Sequence, residues 1–196
     1  MNDISLPMSL EDIEDFFRER MDEGIKDLKK EIIKKGIKNT PMKLIWITIE
    51  KEWFRECIRL LCEIQIPHLS VTSGSDIGDF VELIYHFQIN YGYPNEETTL
   101  NIKVHLPKDD LTIPTITDLV PGAITTEREK QEFLGVKVID IPDSRRLWLD
   151  ENYPEDRHPW RWDEKGMEEM SRYIHDPKEA SDKPTSEKAK DRLGGE

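Results

Sequence analysis

The chain reads as an α+β domain: a small, mostly antiparallel sheet with helices on one face, a long N-terminal helix and an extended C-terminal arm. Three observations predict it. Val81, Leu83, Tyr85, Phe87, Ile89 and Tyr91 alternate with Glu82, His86, Gln88 and Asn90, the period of a strand with one buried face, interrupted only by Ile84. Apolar residues recur at helical spacing on both sides of a strand-like run early in the chain. Val136 to Asp163 holds Pro142, Pro154 and Pro159 with Trp148, Trp160 and Trp162 and keeps no sustained period.

In chain order, Ser9 opens a capping-box-like S-L-E-D. Leu10, Ile13, Phe16, Phe17, Met21, Ile25, Leu28, Ile32 and Ile33 then predict one amphipathic helix reaching Gly36. Lys43–Ile49 is β-branched and aromatic and predicts a strand, and Glu50–Gln65 returns to helical spacing until Pro67. His68–Thr72 predicts a second strand, followed by turn chemistry at Gly74-Ser75-Asp76 and Gly78-Asp79. Leu100, Ile102, Val104 and Leu106 alternate with Asn101, Lys103 and His105, so this run and Val81–Tyr91 predict an antiparallel hairpin across Gly92–Glu97. His86 and His105 fall on its polar face, where no third ligand sits at metal spacing. A short helix is expected around Ile116–Val120 and another from Thr125 or Thr126 to Leu134, closed by Gly135. The organisation that follows is an N-terminal helix and linker (1–40), an α+β domain (41–135), an extended partner-binding arm (136–176) and a charged, flexible tail (177–196).

Composition narrows the function. The 196 residues carry 28 Lys+Arg against 41 Asp+Glu, a net charge of −13 that repels phosphate backbones and anionic headgroups, so proteins rather than nucleic acid or membrane surfaces are the expected partners. No apolar run exceeds the four residues Leu44–Ile47, which leaves no membrane span or signal core and predicts a protein that stays in the cytoplasm without direct membrane insertion. Cys57 and Cys62 lie five apart in a helical stretch and suit core packing better than a bridge. The 22 Ile against three Ala and three Gln, with abundant Lys and Glu, is a bias that hyperthermophile proteins share and that genome composition produces equally well. Gly-rich phosphate loops, H-E-x-x-H, C-x-x-C and G-x-S-x-G are missing, so no metal or cofactor is expected in this chain and no catalytic residue is assigned.

The segments T-E-R-E-K-Q-E-F-L-G-V (126–136), I-P-D-S-R-R-L-W-L (141–149) and H-P-W-R-W-D (158–163) resemble the signature of the 30 kDa subunit of NADH dehydrogenase, respiratory complex I. That signature reads R-E-x-x-D-x-x-G-I, H-P-x-L-x-R and P-L-R-K-D. Arg128, Glu129, Gly135, Pro142, Arg146, Pro159, Arg161 and Asp163 match it, with Glu132 in place of Asp and Val136 in place of Ile. Ile141, Ser144, Trp160 and Trp162 depart from it in a manner similar to the subunits of archaeal membrane-bound [NiFe]-hydrogenases and sulfane sulfur reductases. The resemblance implies a non-catalytic structural subunit on the cytoplasmic face of a membrane-bound, ion-translocating redox complex. Such a subunit packs on a [NiFe]-hydrogenase-like large subunit beside a cluster-bearing small subunit, with the iron-sulfur clusters in those partners. It also implies that Glu127, Arg128, Glu129, Gly135, Arg146, Trp148, Trp160, Arg161 and Asp163 serve the partner interface. A subunit of a quinone-reducing complex and a free-standing assembly factor are the alternatives.

Overall fold

The computed structural model describes residues 4–37, 39–150 and 153–162. Five strands form one sheet in the order β1-β2-β5-β4-β3: β1 Ile25–Lys35, β2 Thr40–Ile49, β3 His68–Asp76, β4 Phe80–Ile89 and β5 Thr98–Pro107. Three of its pairings are antiparallel, and β2 runs parallel to β5 with Ile45, Ile47 and Ile49 opposite Leu100, Ile102 and Val104. Because side chains alternate across a strand, these residues and Leu83, Tyr85 and Phe87 of β4 share one face, and all are at most 1% exposed.

Helices close that face. Helix α1, Leu10–Met21, begins at a capping box in which the Asp12 amide donates to Ser9 Oγ and the Ser9 amide to Asp12 Oδ2. It buries Leu10, Ile13, Phe16, Phe17 and Met21. Helix α2, Phe54–Ile64, buries Phe54, Cys57, Ile58, Leu60, Leu61 and Ile64, and Phe54 packs on Tyr85 with ring centroids 4.7 Å apart. Both belong to one core with the sheet. Helix α3, Ala123–Leu134, lies over β3, where Thr126 meets Thr72 and Leu134 occupies the space above Gly74. Strands β6, Thr112–Pro114, and β7, Lys137–Ile139, pair in parallel and bring the chain back beside α3. Asn90, fully buried, exchanges two bonds with the backbone of Met8 and so ties the start of the chain to the end of β4.

The expected helix to Gly36 is corrected: it ends at Met21, and its second half is strand β1. A 3₁₀ turn at Asp22–Gly24 redirects the chain, after which Leu28 lies opposite Ile47 and Lys30 opposite Ile45. Ile25, Leu28 and Ile32 satisfy a helical spacing in sequence, but a neighbour offering a ladder of backbone bonds overrides that preference. Lys30 points to the core face and ends in an ion pair with Glu14 of α1 at 2.7 Å. Lysines at 26, 29, 34 and 35 complete a charged edge that discourages further strand pairing. The expected helix at 116–120 is a single turn, closed by the Val120 amide on the Ile116 carbonyl. Helix α3 starts at Ala123 rather than at Thr125 or Thr126, and the Thr126 hydroxyl donates back to the Ala123 carbonyl. The hairpin, Gly135 in the left-handed conformation and both free thiols are as expected, with Cys57 fully buried. His86 meets Asn101 and Ser73, and His105 meets Glu82. The tail at 177–196 lies outside the described residues.

A Cβ on Gly24 would run into the Trp53 ring. Gly24→Ala is therefore expected to destabilise the domain by about 1–3 kcal/mol in denaturant titration, the usual cost of overpacking a filled interior.

Candidate functional site

The residues of the signature gather where α3 meets the arm. One stripe of α3, with Ala123, Glu127, Lys130 and Leu134, is buried against the domain. The neighbouring stripe, with Arg128 and Glu132 four residues apart, faces the arm.

Glu127 is 2% exposed and works inward. Its oxygens accept from the Thr115 hydroxyl at 2.6 Å and the Ile116 amide at 2.9 Å, and so pin the chain leaving β6. Burial raises its carboxyl above the ordinary glutamate range, and those two bonds offset part of the rise. Glu129 pairs with the ammonium of Lys130, a 3% exposed lysine. Burial draws Lys130 below the ordinary lysine range, and Glu129 restores part of it. The same ammonium lies 4.7 Å from the Trp160 ring, which stacks on Phe133 at 4.6 Å.

Arg128 grips the backbone of the arm, Nε donating to the Arg145 carbonyl at 2.7 Å and one terminal nitrogen to the Arg146 carbonyl at 3.1 Å. Glu132 does the converse: its carboxylate accepts from three successive amides, those of Leu147, Trp148 and Leu149, the last two at 2.8 Å. Arg146 donates to the carbonyls of Asp150 at 3.0 Å and Tyr153 at 2.6 Å, shaping the next bend. At the end of α3 His158 Nδ1 donates to the Glu132 carbonyl at 3.1 Å, and a Cβ on Gly135 would meet the His158 ring at 2.6 Å. The backbone of the arm then returns to α3, with the Trp160 amide on the Phe133 carbonyl at 2.9 Å. The Arg161 amide bonds the His158 carbonyl, and the Trp162 amide reaches Asp76 Oδ2 at 3.0 Å. Burial would raise Asp76, but Lys108 at 2.8 Å and the amides of Trp162 and Gly78 outweigh it and hold the carboxyl below its ordinary value.

Eight of the nine residues picked from sequence are thus described. Arg128, Gly135, Arg146, Trp160 and Arg161 come together along the arm, Glu127 is committed to the loop after β6, and Glu129 holds Lys130. Trp148 is 60% exposed, and Asp163 lies outside the described residues. The residues not picked are Glu132, Asp76, Lys130 and His158. Glu132 carried a signal, standing in place of the signature Asp four residues after Arg128 on the same helix face, and His158 opened the quoted H-P-W-R-W-D segment.

The sequence model of the respiratory-chain NADH dehydrogenase 30 kDa subunit family matches residues 47–169, from within β2 into the arm. The chain belongs to this family. Membrane-bound hydrogenase subunit beta of Pyrococcus furiosus is 34% identical over 126 residues, covering 64% of this chain and 72% of that protein. Formate hydrogenlyase subunit 5 of Escherichia coli is 28% identical over 120 residues, and the match spans 60% of this chain but only 21% of that relative. The fold is shared with a chain in the structure of the membrane-bound sulfane sulfur reductase, an archaeal respiratory membrane complex. That likeness has a TM-score of 0.63 at 17% identity and covers 89% of this chain and 95% of the other. Among the described residues no helix of this family member is long and apolar enough to cross a membrane, and no three His, Cys, Asp or Glu side chains converge as a metal site needs.

Glu127→Ala is expected to cost about 1–3 kcal/mol in denaturant titration because it strands the Ile116 amide in the interior, while Glu127→Gln, which keeps an acceptor, costs less. Asp76 sets a pH dependence. A carboxyl whose folded value is lowered stabilises the fold fully above its ordinary 3.8 and loses that contribution as pH falls through the folded value. Acid titration followed by tryptophan emission should therefore show the end of the arm loosening below about pH 3.8, a step that Asp76→Asn removes.

Proposed function

We propose that the chain is a non-catalytic structural subunit of a membrane-bound, ion-translocating redox complex related to complex I, of the hydrogenase or sulfane sulfur reductase type. In this reading it sits on the cytoplasmic face, packs through the arm on a [NiFe]-hydrogenase-like large subunit and holds no redox centre of its own. The iron-sulfur clusters belong to the neighbouring small subunit, which the packing helps to position.

The observation that carries the reading is the arm. Leu147, Trp148 and Trp162 are 43%, 60% and 74% exposed although the chain holds them by many backbone bonds. A domain that orders a segment and leaves Trp148 and Trp162 in water forgoes the burial that normally offsets ordering, unless a second surface supplies it. Trp and Arg are also the residues that most often anchor protein contacts. The similarity to membrane-bound hydrogenase subunit beta supports the choice of complex.

The test is isolation of the tagged chain from its native membranes. The expected result is co-isolation of a [NiFe]-like large subunit and a cluster-bearing small subunit, identified by mass spectrometry, with hydrogen or sulfane sulfur activity. Recovery with quinone-reducing partners moves the chain to that class of complex, and recovery as a lone monomer overturns the reading.

A further inference from the structure

We propose that Arg128 and Glu132 form a clamp on the backbone of the arm that makes Leu147 and Trp148 a preformed docking ridge, the anchor for an apolar socket on a protein partner. The proposal rests on the reading that the arm meets a partner and adds how the contact is built. Irregular backbone tends to order only when something satisfies its polar groups. Here the chain supplies the partners itself: the guanidinium of Arg128 takes the carbonyls of residues 145 and 146, and the carboxylate of Glu132 takes the amides of residues 147, 148 and 149. Further along, the carboxylate of Asp76 takes the amide of Trp162. Three of the residues that match or replace signature positions, Arg128, Glu132 and Gly135, touch the arm of their own chain.

The clamp also states the chemistry of the occupant. Successive amides curved around one point make a concavity for an anion, and Glu132, 8% exposed, already fills it. A partner therefore finds no free amides at 147–149, either for adding a strand or for holding an anion. What remains on offer is the exposed surface of two adjacent apolar side chains, Leu147 at 43% and Trp148 at 60%. Burial of an indole in a socket is the recognition that such a ridge allows. Because the clamp fixes the ridge beforehand, docking does not spend affinity on ordering it.

Hydrogen exchange on the full-length free chain tests the clamp without any partner. The amides of Leu147, Trp148 and Leu149 are expected to exchange at least about 100-fold slower than in an unstructured chain. Glu132→Ala should return them towards the unstructured rate while β4 and β5 keep their protection. Unprotected amides at 147–149 in the wild-type chain overturn the clamp, whatever the partner is. The ridge is tested by reconstituting the complex from its isolated parts: Trp148→Ala should keep the protection pattern yet weaken association at least about ten-fold. Association at wild-type strength overturns the ridge, as does self-association or binding to anionic vesicles that Trp148→Ala abolishes. If the wild-type chain shows the protected amides but joins no complex in its native membranes, the functional reading fails and the clamp stands.

Discussion

The structure depends on a constraint that no side-chain burial relaxes: backbone amides and carbonyls removed from water need partners. In the domain the sheet and helices satisfy them internally. Beyond β7 the chain has no further helix or strand among the described residues, so its donors and acceptors must be met one by one. Glu132 meets three donors, Arg128 two acceptors and Asp76 one more donor. Bonds to charged groups are stronger than neutral ones, so a few ionised side chains accomplish what a ladder of ordinary bonds does elsewhere.

Helix α3 is the part that lets this happen. One stripe of it is committed to the domain, where Leu134 fills the space above Gly74 and Glu127 pins the loop after β6. The adjacent stripe is thereby held rigid, and it carries the two charges that shape the arm. Gly135 ends the helix in the left-handed conformation and leaves no side chain to keep His158 away, so the returning arm passes directly over the helix end. A site built this way inherits its precision from the core rather than from the arm.

The hairpin β4–β5, the strand β2 and helix α2 were legible because each keeps one period over enough residues for one face to be apolar. The region 22–36 was not legible for a physical reason. Its isoleucines and Leu28 fit a helical spacing, and nothing local shows that β2 lies alongside with a free edge. Residues 116–120 likewise have the composition of a helical turn, but Pro121 has no N–H with which to continue the ladder, so the turn ends at Val120.

From the sequence by itself came the class of fold, the one-sided sheet, the glycine stop of α3 and the likeness to the complex I 30 kDa subunit family, since each is carried by local periodicity or by residues in fixed order. The sequence also marked out the arm, by its prolines and tryptophans. Only the tertiary structure decided what the marked residues do. Whether Arg128 faces water, a partner or its own chain depends on where residues 145 and 146 lie, seventeen and eighteen positions away. The Glu132 carboxylate became an anchor for the same reason. Long-range placement of backbone groups leaves no periodic trace, because it is a property of the folded path and not of any window along it.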